Sequence, residues 1–270
     1  AKNIPLWESD FEITCWLLKP NSRQYKQIAI AIGEISRIEA LISSWKTTSE
    51  TSNINKNAGV NPVKVSEELF SLIQRALQIS NLTDGAFDIS YASMDKLWKY
   101  DGSMTQMPSK EAIKKSVAKV GYQDIIVDPK NSTVFLKNKG MKIGFGAIGK
   151  GYAADKAKKL LISNGVSGGI INASGDINSW GSKPSGSSWQ VAITNPLNKN
   201  KAFAMLPIKD AVVTSGNYEK YVTFNSRRYS HIIDPRTGYP SQGIISVTVF
   251  APKAELADAL ATSVFVMGVE

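Results

Sequence analysis

The chain has 270 residues, of which 43% are hydrophobic and 20% charged, a composition typical of a globular protein that can bury a large core. It contains no apolar run of the roughly 18 residues that would cross a bilayer, and its one cysteine excludes an internal disulfide framework and a cysteine-cluster zinc site. The net charge of +9 comes from 32 basic residues scattered without an Arg-rich block. This distribution favours an anionic ligand and argues against nucleic acid as a partner, although a surface charged only for solubility would have the same composition.

The first half of the chain is predicted to be mostly helical. Apolar residues recur every three to four positions from 24 to 45. Ser66 and Ser109 are the expected N-caps of two further helices, the second running to about Val120. Between these helices, the polar residues 47–59 are predicted to form a loop.

Strands are predicted mainly in the second half, between two helices. The first of these helices is expected to end at Asn164-Gly165, and the second covers 255–267. The predicted strands are 10–18, three within 125–145, and 168–173, 188–194, 202–208, 211–214, 218–224, 228–233 and 243–250. Helices and strands cluster rather than alternate, which favours an α+β fold with mostly antiparallel sheets packed with helices. We expect one domain over 1–270, either undivided or built from two α/β subdomains.

Residues 142–155 are predicted to form a strand, a glycine-rich loop and a helix, and the rest of the chain is expected to be organised around them. Four glycines lie within 144–151, so backbone N–H groups are left uncovered at the start of the helix. Together with the helix dipole these groups favour an anion such as phosphate. A tight turn without a ligand would have the same pattern.

Two phosphate-binding motifs match this segment only in part. Three of its glycines fit the dinucleotide fingerprint, but the acidic residue that should follow about 20 positions later arrives late, at Asp176, inside another glycine turn. Residues 144–150 fit the P-loop pattern, except that Gly151 replaces the Ser or Thr that would bind magnesium. A magnesium-dependent P-loop is therefore expected only if the metal is held elsewhere in the fold.

The only histidine of the chain, His231, lies at the end of a predicted strand, just before a Pro/Gly-rich turn that contains Arg236. A neutral imidazole there can act as a general base or contact a phosphate, and Arg236 adds a positive charge that is independent of pH. A purely structural histidine is the alternative.

Asp258 and Thr262 are four residues apart on the last predicted helix and therefore share one face, among alanines and Leu260. A polar group in such an apolar stripe needs a partner, because unpaired burial costs about 1–3 kcal/mol. A hard cation such as Mg²⁺, completed by waters, phosphate oxygens and a loop carbonyl, is one solution. The alternative is that Asp258 pairs with a backbone group and Thr262 bonds to the carbonyl four residues earlier.

Glycine turns are predicted at three further places, at Asp84-Gly85 just before Asp88, at 172–176 and at 214–217. The segments 172–176 and 214–217 could each present backbone amides to a ligand, and each could be a plain turn.

Together these segments resemble the ApbE family, the FAD:protein FMN transferases once labelled thiamine-biosynthesis lipoproteins. The resemblance extends from about Phe11 to the end of the chain and rests on six motifs in the family's order, any one of which is weak alone. The motifs are Gly85-Ala86-Phe87-Asp88, residues 146–155, Asn172-Ala173-Ser174-Gly175-Asp176, Thr214-Ser215-Gly216, residues 231–238 and Ala257-Asp258-Ala259-Leu260-Ala261-Thr262.

The resemblance implies an ApbE-like, T-fold-like architecture and an enzyme that binds FAD with Mg²⁺. Such an enzyme cleaves the pyrophosphate of FAD and attaches FMN through a phosphoester to a Thr or Ser of a partner protein, releasing AMP. Pyrophosphate cleavage develops negative charge, so we expect catalysis to depend chiefly on positioning and charge stabilisation.

The resemblance also assigns roles to individual residues. His231 is implied to be catalytic. On physical grounds we also expect Lys150 to bind the cofactor, because a lysine there could supply positive charge at the phosphates. The implied metal ligands are Asp258, Thr262 and the carbonyl of Gly149. The implied FAD contacts are Trp45, Ala86, Phe87, Asp88 and Asp155.

The sequence departs from the family pattern at Trp7-Glu8-Ser9, where the family commonly has Met-Gly-Ser or Met-Gly-Thr. A glutamate there adds bulk and negative charge beside an anionic ligand, so weaker FAD binding through this segment is expected. Ser174 stands where a second glycine is usual, which is a milder change.

Three other functions stay open on the sequence. They are an FAD pyrophosphatase with water as the nucleophile, a non-catalytic FAD-binding protein and, more remotely, a nicotinamide-dependent dehydrogenase of the Rossmann type. The resemblance further implies export to the periplasm and membrane association through a lipid anchor. Because the sequence begins with Ala1 rather than Met, the targeting segment is expected to have been removed.

Overall fold

The computed structural model describes residues 2–6, 9–16, 23–218 and 220–269. Within these residues there are six α-helices and thirteen β-strands. The helices are α1 (Arg23–Ile42), α2 (Glu50–Lys56), α3 (Glu67–Leu82), α4 (Lys110–Val117), α5 (Gly149–Ser163) and α6 (Ala254–Met267). The strands are β1 (Lys2–Leu6), β2 (Ser9–Trp16), β3 (Val63–Lys64), β4 (Ile125–Asp128), β5 (Thr133–Leu136), β6 (Gly168–Ala173), β7 (Asp176–Trp180), β8 (Trp189–Asn195), β9 (Asn198–Ile208), β10 (Ala211–Gly216), β11 (Tyr221–Phe224), β12 (Arg227–Ser230) and β13 (Ser246–Ala251). None of these helices combines the length and the apolarity needed to cross a bilayer.

The described residues divide into two compact units, each built from several stretches of the chain. Unit 1 takes its residues from 1–39, Ala147–Ser215 and Thr248–Ala261, and unit 2 from Ala40–Gly146, Gly216–Val247 and 262–269. Both units contain helices together with strands, and the prediction of an α+β fold with mostly antiparallel sheets is confirmed.

A six-stranded sheet with the order β1-β2-β6-β7-β10-β13 is the framework of unit 1. Its first five strands pair antiparallel, with β2 against β6 from Phe11↔Ala173 onward. The two-residue turn Ser174-Gly175 joins β6 to β7, and both residues have positive φ (54° and 99°), as in hairpin turns whose twist matches that of the strands. The glycine turn predicted at 172–176 is therefore a β-hairpin, and its second strand was not predicted.

Helix α5 packs against β6 and β7 of this sheet. The buried face of α5 consists largely of small residues, including Ala153, Ala154 and Ala157, which allow neighbouring elements to approach closely. The helix ends where the sequence indicates, because Asn164 is its C-cap and Gly165 follows with φ of 81°.

Unit 2 contains α3, α4, a three-stranded antiparallel sheet in the order β3-β5-β4, and the hairpin β11–β12. Ser66 and Ser109 cap α3 and α4 as predicted, since each hydroxyl accepts a hydrogen bond from the amide three residues later. A cluster of buried side chains, Trp98, Ile113 and Ile233, connects α4 with the segment that follows β12.

The prediction of a loop over 47–59 is wrong, because α2 lies within it. Ser49 caps this helix, and its Oγ accepts a hydrogen bond from the Ser52 amide at 2.9 Å. Thr51, Ser52 and Ile54 are buried. Packing of a mostly polar sequence thus stabilises α2, and a search for apolar periodicity does not reveal such a helix.

Only two of the three strands predicted within 125–145 are present, namely β4 and β5. Residues 141–145 lie outside any strand, and side chains bind their backbone. Ser93 Oγ donates to the Lys142 carbonyl at 2.9 Å and accepts from its amide at 2.8 Å. Asn55 does the same for Ile143, at 3.0 Å and 2.8 Å. The segment before the glycine loop is therefore not the predicted strand, because side chains take the place of a neighbouring strand.

Candidate active site

Lys150 lies in the first turn of α5, and its ammonium group contacts the carboxylate of Asp176 at the start of β7. Both side chains are largely buried, with 26% and 6% of their surfaces exposed. Burial acts to lower the pKa of Lys150, but the negative charges of Asp176 and Asp258 outweigh it and the pKa is raised. Lys150 is therefore held as a cation at the end of the glycine loop.

Asp258 is a buried carboxylate on α6, and its Oδ2 accepts a hydrogen bond from the Gly151 amide at 3.1 Å. Burial, reinforced by the negative charge of Asp176, raises the pKa of Asp258 to about 7, although Lys150 and the Gly151 amide act in the opposite direction. The start of α5 thus supplies this carboxylate with a nearby positive charge and a backbone donor. Backbone amides and the positive end of the dipole are what a helix N-terminus offers to an anion, and the side chain of Lys150 adds its charge to them here.

The other two predicted metal ligands lie on the same two helices. Gly149 is the first residue of α5 and is buried, whereas Thr262 is half-buried one turn after Asp258 on α6. Among the described residues, no group of three or more His, Cys, Asp or Glu side chains is arranged to hold a metal ion. The described residues therefore contain no complete metal-binding site made only of His, Cys, Asp and Glu side chains.

Asp155 lies one turn after Gly151 on α5, and its carboxylate accepts three hydrogen bonds. Oδ1 accepts from Asn178 Nδ2 at 2.7 Å and from the Ala254 amide at 3.0 Å, and Oδ2 accepts from the Glu255 amide at 2.9 Å. The structure therefore places Asp155 against the first turn of α6.

His231 directly follows β12 and is half-buried. Its Nδ1 lies 3.1 Å from the carbonyl of Lys220, and its own amide donates to the same carbonyl at 3.1 Å. Since a carbonyl oxygen only accepts, Nδ1 carries the proton in this contact and the lone pair is on Nε2. The ring of Tyr100 packs edge-on against the imidazole, with centroids 6.3 Å apart. A neutral imidazole of this tautomer can take up a proton at Nε2.

A tight turn follows His231. The amides of Thr237 and Gly238 both donate to the carbonyl of Asp234, and Gly238 has φ of 76°. The guanidinium of Arg236 makes two hydrogen bonds of 2.9 Å to the Asp234 carboxylate. The positive charge expected of Arg236 is thus paired within the turn itself.

The predicted FAD contacts at 86–88 are buried in unit 2. Ala86 and Phe87 are 0% and 2% exposed. Asp88 accepts hydrogen bonds from the Ser90 amide at 2.7 Å and the Tyr122 amide at 2.8 Å. Burial raises the pKa of Asp88, and these hydrogen bonds act in the opposite direction. The Asp88 side chain thus holds two backbone segments together.

Trp45 lies just beyond α1 with 65% of its surface exposed, so its ring is open to a planar ligand. Trp7 and Glu8, at which the sequence departs from the family pattern, lie outside the described residues, and Ser9 is the first residue of β2.

The sequence indicates Asp176 only as part of a glycine turn, and its pairing with Lys150 is not predicted. The signal was its place directly after the Ser174-Gly175 hairpin turn, because alternation along β7 then directs Asp176 and Asn178 to one face of the sheet. Both residues are buried, whereas Ile177 between them is only half-buried. A polar residue on a buried face needs a partner, and α5 provides one for each, Lys150 and Lys158.

Comparisons with a family model and with individual proteins point to the same family. The ApbE family model matches residues 8–270. The FAD:protein FMN transferase of Escherichia coli (strain K12) is 34% identical over 239 residues, which cover 86% of this chain and 68% of that protein. The FAD:protein FMN transferase of Treponema pallidum (strain Nichols) is 33% identical over 248 residues, with coverage of 86% and 68%.

Solved structures agree with the sequence relatives. The ApbE protein from Thermotoga maritima MSB8 has a TM-score of 0.88 and 34% identity, covering 98% of this chain and 86% of that chain. The flavin transferase ApbE from Vibrio cholerae has a TM-score of 0.88 and 25% identity, covering 100% and 87%. The ApbE-like architecture that the sequence motifs imply is confirmed.

Proposed function

This chain belongs to the ApbE family, and on that premise we propose that it is an Mg²⁺-dependent FAD:protein FMN transferase. It is an enzyme that uses FAD to transfer FMN to an acceptor protein. The acceptor group is a Thr or Ser hydroxyl, the new bond is a phosphoester, and AMP is released.

The observation that carries this proposal is the set of contacts around the start of α5. Lys150, Asp176 and Asp258 bring one cation and two carboxylates together beside the helix N-terminus, and the Gly151 amide binds Asp258 at 3.1 Å. The amides of a helix start and a lysine suit phosphate groups. The buried carboxylate beside them suits a divalent cation that phosphate oxygens also bind.

The chemistry of these donors fits Mg²⁺. We assign Asp258, Thr262 and the carbonyl of Gly149 as its protein ligands, all of them oxygen atoms of the kind that hard cations prefer. Few protein ligands are needed, since Mg²⁺ usually keeps several waters and shares phosphate oxygens with its substrate. When bound, Mg²⁺ would supply charge neutralisation at the pyrophosphate.

We assign the FAD contacts to Trp45, Ala86, Phe87, Asp88 and Lys150. Trp45 offers an exposed indole for stacking on an aromatic ring system. Lys150 supplies positive charge where negative charge develops as the pyrophosphate is cleaved. Ala86, Phe87 and Asp88 are buried, and the Asp88 carboxylate binds two backbone amides, so these three are assigned from the family motif. Asp155 is assigned a different role below, because two of the three hydrogen bonds that its carboxylate accepts come from the first turn of α6.

His231 acts as the general base in this proposal. Its Nδ1 donates to the Lys220 carbonyl, so Nε2 can take the proton of the acceptor hydroxyl. The hydroxyl oxygen then forms a bond to the phosphorus of the FMN moiety. The bond from that phosphorus to the bridging oxygen breaks, and AMP leaves with the electron pair.

The proposal is tested by incubating the purified chain with FAD and a library of Thr- and Ser-containing peptides, with and without Mg²⁺. AMP is followed by chromatography and FMN-modified peptide by mass spectrometry. We expect AMP and FMN-peptide to form together, and only with the metal. AMP with free FMN and no modified peptide would replace transfer by hydrolysis, whereas bound FAD without AMP under every condition would overturn the enzymatic assignment.

A further inference from the structure

Helices α5 and α6 approach each other closely at Gly151. A Cβ atom added at this glycine would lie 2.2 Å from the Ala254 carbonyl oxygen and 2.8 Å from the Glu255 nitrogen. Only a residue without a side chain lets the backbones come this near. The first turn of α6 is therefore pressed against one face of α5.

Asp155 lies one turn further along that face of α5 and meets the same turn of α6. Its carboxylate accepts hydrogen bonds from the amides of Ala254 and Glu255 at 3.0 Å and 2.9 Å. These are the first two amides of α6, and such groups have no partner within their own helix. A carboxylate from α5 thus does what an N-cap side chain normally does, with its charge at the favourable end of the helix dipole.

The orientation of Asp155 is itself fixed by a buried side chain. Asn178 on β7 is fully buried and donates to Asp155 Oδ1 at 2.7 Å. The other end of its amide accepts from Lys158 Nζ at 3.0 Å, which sets the direction in which Asn178 donates. Lys158 is held in turn by the carbonyl of Ser179 at 2.8 Å. Side chains of α5 and β7 therefore determine where the Asp155 carboxylate stands.

We propose that Asp155 is a positioning residue that fixes the first turn of α6 and thereby the carboxylate of Asp258. Asp258 is one helical turn beyond Ala254, and its Oδ2 binds the Gly151 amide on the same face of α5. Two contacts to α5, through Asp155 and Gly151, thus hold both ends of the α6 turn that leads to Asp258. The consequence for the metal rests on the proposed function, but the effect on α6 does not.

The first test measures hydrogen exchange in the Asp155→Asn variant without metal and without FAD. An asparagine has one acceptor oxygen, so it cannot serve Asn178 and both α6 amides, and one of these donors would face its NH₂ group. We expect the amides of Ala254 and Glu255 to exchange about tenfold faster or more than in the unaltered protein. Unchanged exchange at these two amides would overturn the proposal, whether or not the protein transfers flavin.

Asp128→Asn is the matched control. The Asp128 carboxylate also accepts from a backbone amide and a side-chain amide, those of Lys130 at 2.9 Å and Asn131 at 2.6 Å, but it does so in unit 2. Like Asp155→Asn, this substitution removes one carboxylate charge and weakens hydrogen bonds from a backbone amide and a side-chain amide. We expect it to leave exchange at Ala254 and Glu255 unchanged.

The second test separates positioning from general stability and from direct FAD contact. Titration calorimetry of the Asp155→Asn variant with Mg²⁺ is expected to show affinity reduced about 10- to 100-fold, with metal-free FAD affinity unchanged. Asp155→Glu, which keeps both acceptor oxygens, is expected to recover part of the Mg²⁺ affinity. Reduced thermal stability with normal Mg²⁺ affinity would show a merely structural role, and weaker metal-free FAD binding with normal exchange would make Asp155 a ligand contact.

A second variant keeps the proposal testable if Asp155→Asn does not fold. Asn178→Ala removes the donor that orients Asp155 but leaves its carboxylate in place. We expect the same two effects as in Asp155→Asn, faster exchange at Ala254 and Glu255 and weaker Mg²⁺ binding, but each of them smaller. Normal behaviour in both measurements would show that Asp155 needs no such support and would overturn the role of Asn178.

Discussion

The contacts around the start of α5 and the turn that carries His231 are built in different ways. In unit 1, charged side chains bind one another and backbone amides: Lys150 with Asp176, Asp258 with Gly151, and Asp155 with α6. In unit 2, His231 is half-buried and follows directly on a short hairpin. Dense polar networks fix the positions of charges, which fits the proposed role of the first region in binding a metal and phosphates. The half-buried His231 fits the proposed role of a base that meets an incoming hydroxyl.

The largest effect is expected from Asp258→Asn, which keeps the shape of the side chain but removes its charge. If Asp258 is a metal ligand, Mg²⁺-dependent release of AMP should fall by about 10³-fold or more, corresponding to some 4 kcal/mol of lost stabilisation. If Mg²⁺ binds as proposed, it should raise the melting temperature of the unaltered protein, and this increase should be lost in the variant as well. Steady-state AMP release and thermal unfolding with and without Mg²⁺ measure the two effects.

Asp210→Asn is the control for that substitution, because Asp210 is a more exposed carboxylate of unit 1 that lies 3.8 Å from Lys158. Asp210→Asn should leave both the Mg²⁺-dependent release of AMP and the effect of Mg²⁺ on the melting temperature close to those of the unaltered protein. Normal AMP release by the Asp258→Asn variant at saturating Mg²⁺ would show that Asp258 is not a metal ligand.

The next largest effect is expected in unit 2, at His231. His231→Ala should reduce the single-turnover rate by about 10²- to 10⁴-fold, the range that general-base catalysis contributes. FAD affinity, measured by fluorescence titration, should change little, because in the proposed mechanism the imidazole acts on the acceptor hydroxyl rather than on FAD. Equal losses of rate and FAD affinity would make His231 a binding residue.

His231→Gln separates a base from a residue that merely holds the turn. A glutamine can donate to the Lys220 carbonyl as Nδ1 does, but it cannot take up a proton. The proposal therefore requires the glutamine variant to be as slow as the alanine variant. Recovery of the rate by glutamine would assign His231 a positioning role.

The sequence predicts the elements that local signals define. The caps Ser66 and Ser109 are where the sequence places them, and the predicted helix over 24–45 corresponds to α1 at Arg23–Ile42. Helix α2 was missed because its stability depends on burial of polar residues rather than on periodicity. The strand expected before the glycine loop is absent because Asn55, 88 positions away, binds the backbone of Ile143. Contacts of that kind are set by the tertiary fold and leave no local pattern.

In the candidate site, too, local motifs predict some features and only the tertiary fold reveals the others. Motifs identify Lys150 and Asp258 as candidates, but they do not show that the Gly151 amide, 107 positions earlier in the chain, donates to Asp258. They also do not show that Asp155 binds the start of α6, 99 and 100 positions away. Local residue type thus indicates which groups can do chemistry, and the fold determines which partners tune them.

The close packing of α5 against α6 depends on Gly151 and can be disrupted by adding a side chain there. Gly151→Ala should lower the free energy of unfolding by about 1–3 kcal/mol or more, because its Cβ would overlap the backbone of Ala254. Gly33→Ala is the control: Gly33 lies in α1, and its added Cβ would meet nothing within 4 Å. That change should be neutral or stabilise the protein by up to about 1 kcal/mol. Equal unfolding midpoints in denaturant for the two variants would contradict the close approach of α5 and α6.

The smallest effect is expected where packing holds the turn after His231. Trp98 is buried and its Nε1 donates to the Gly238 carbonyl at 3.0 Å, so Trp98→Phe removes that bond and part of the ring volume. We expect a loss of about 1–2 kcal/mol in unfolding free energy. Trp45→Phe, at a tryptophan that is 65% exposed, should change it by less than about 0.5 kcal/mol. If denaturant unfolding showed the two variants to be equally stable, Trp98 would not anchor the turn, and the position of His231 would instead depend on contacts such as those with the Lys220 carbonyl and the Tyr100 ring.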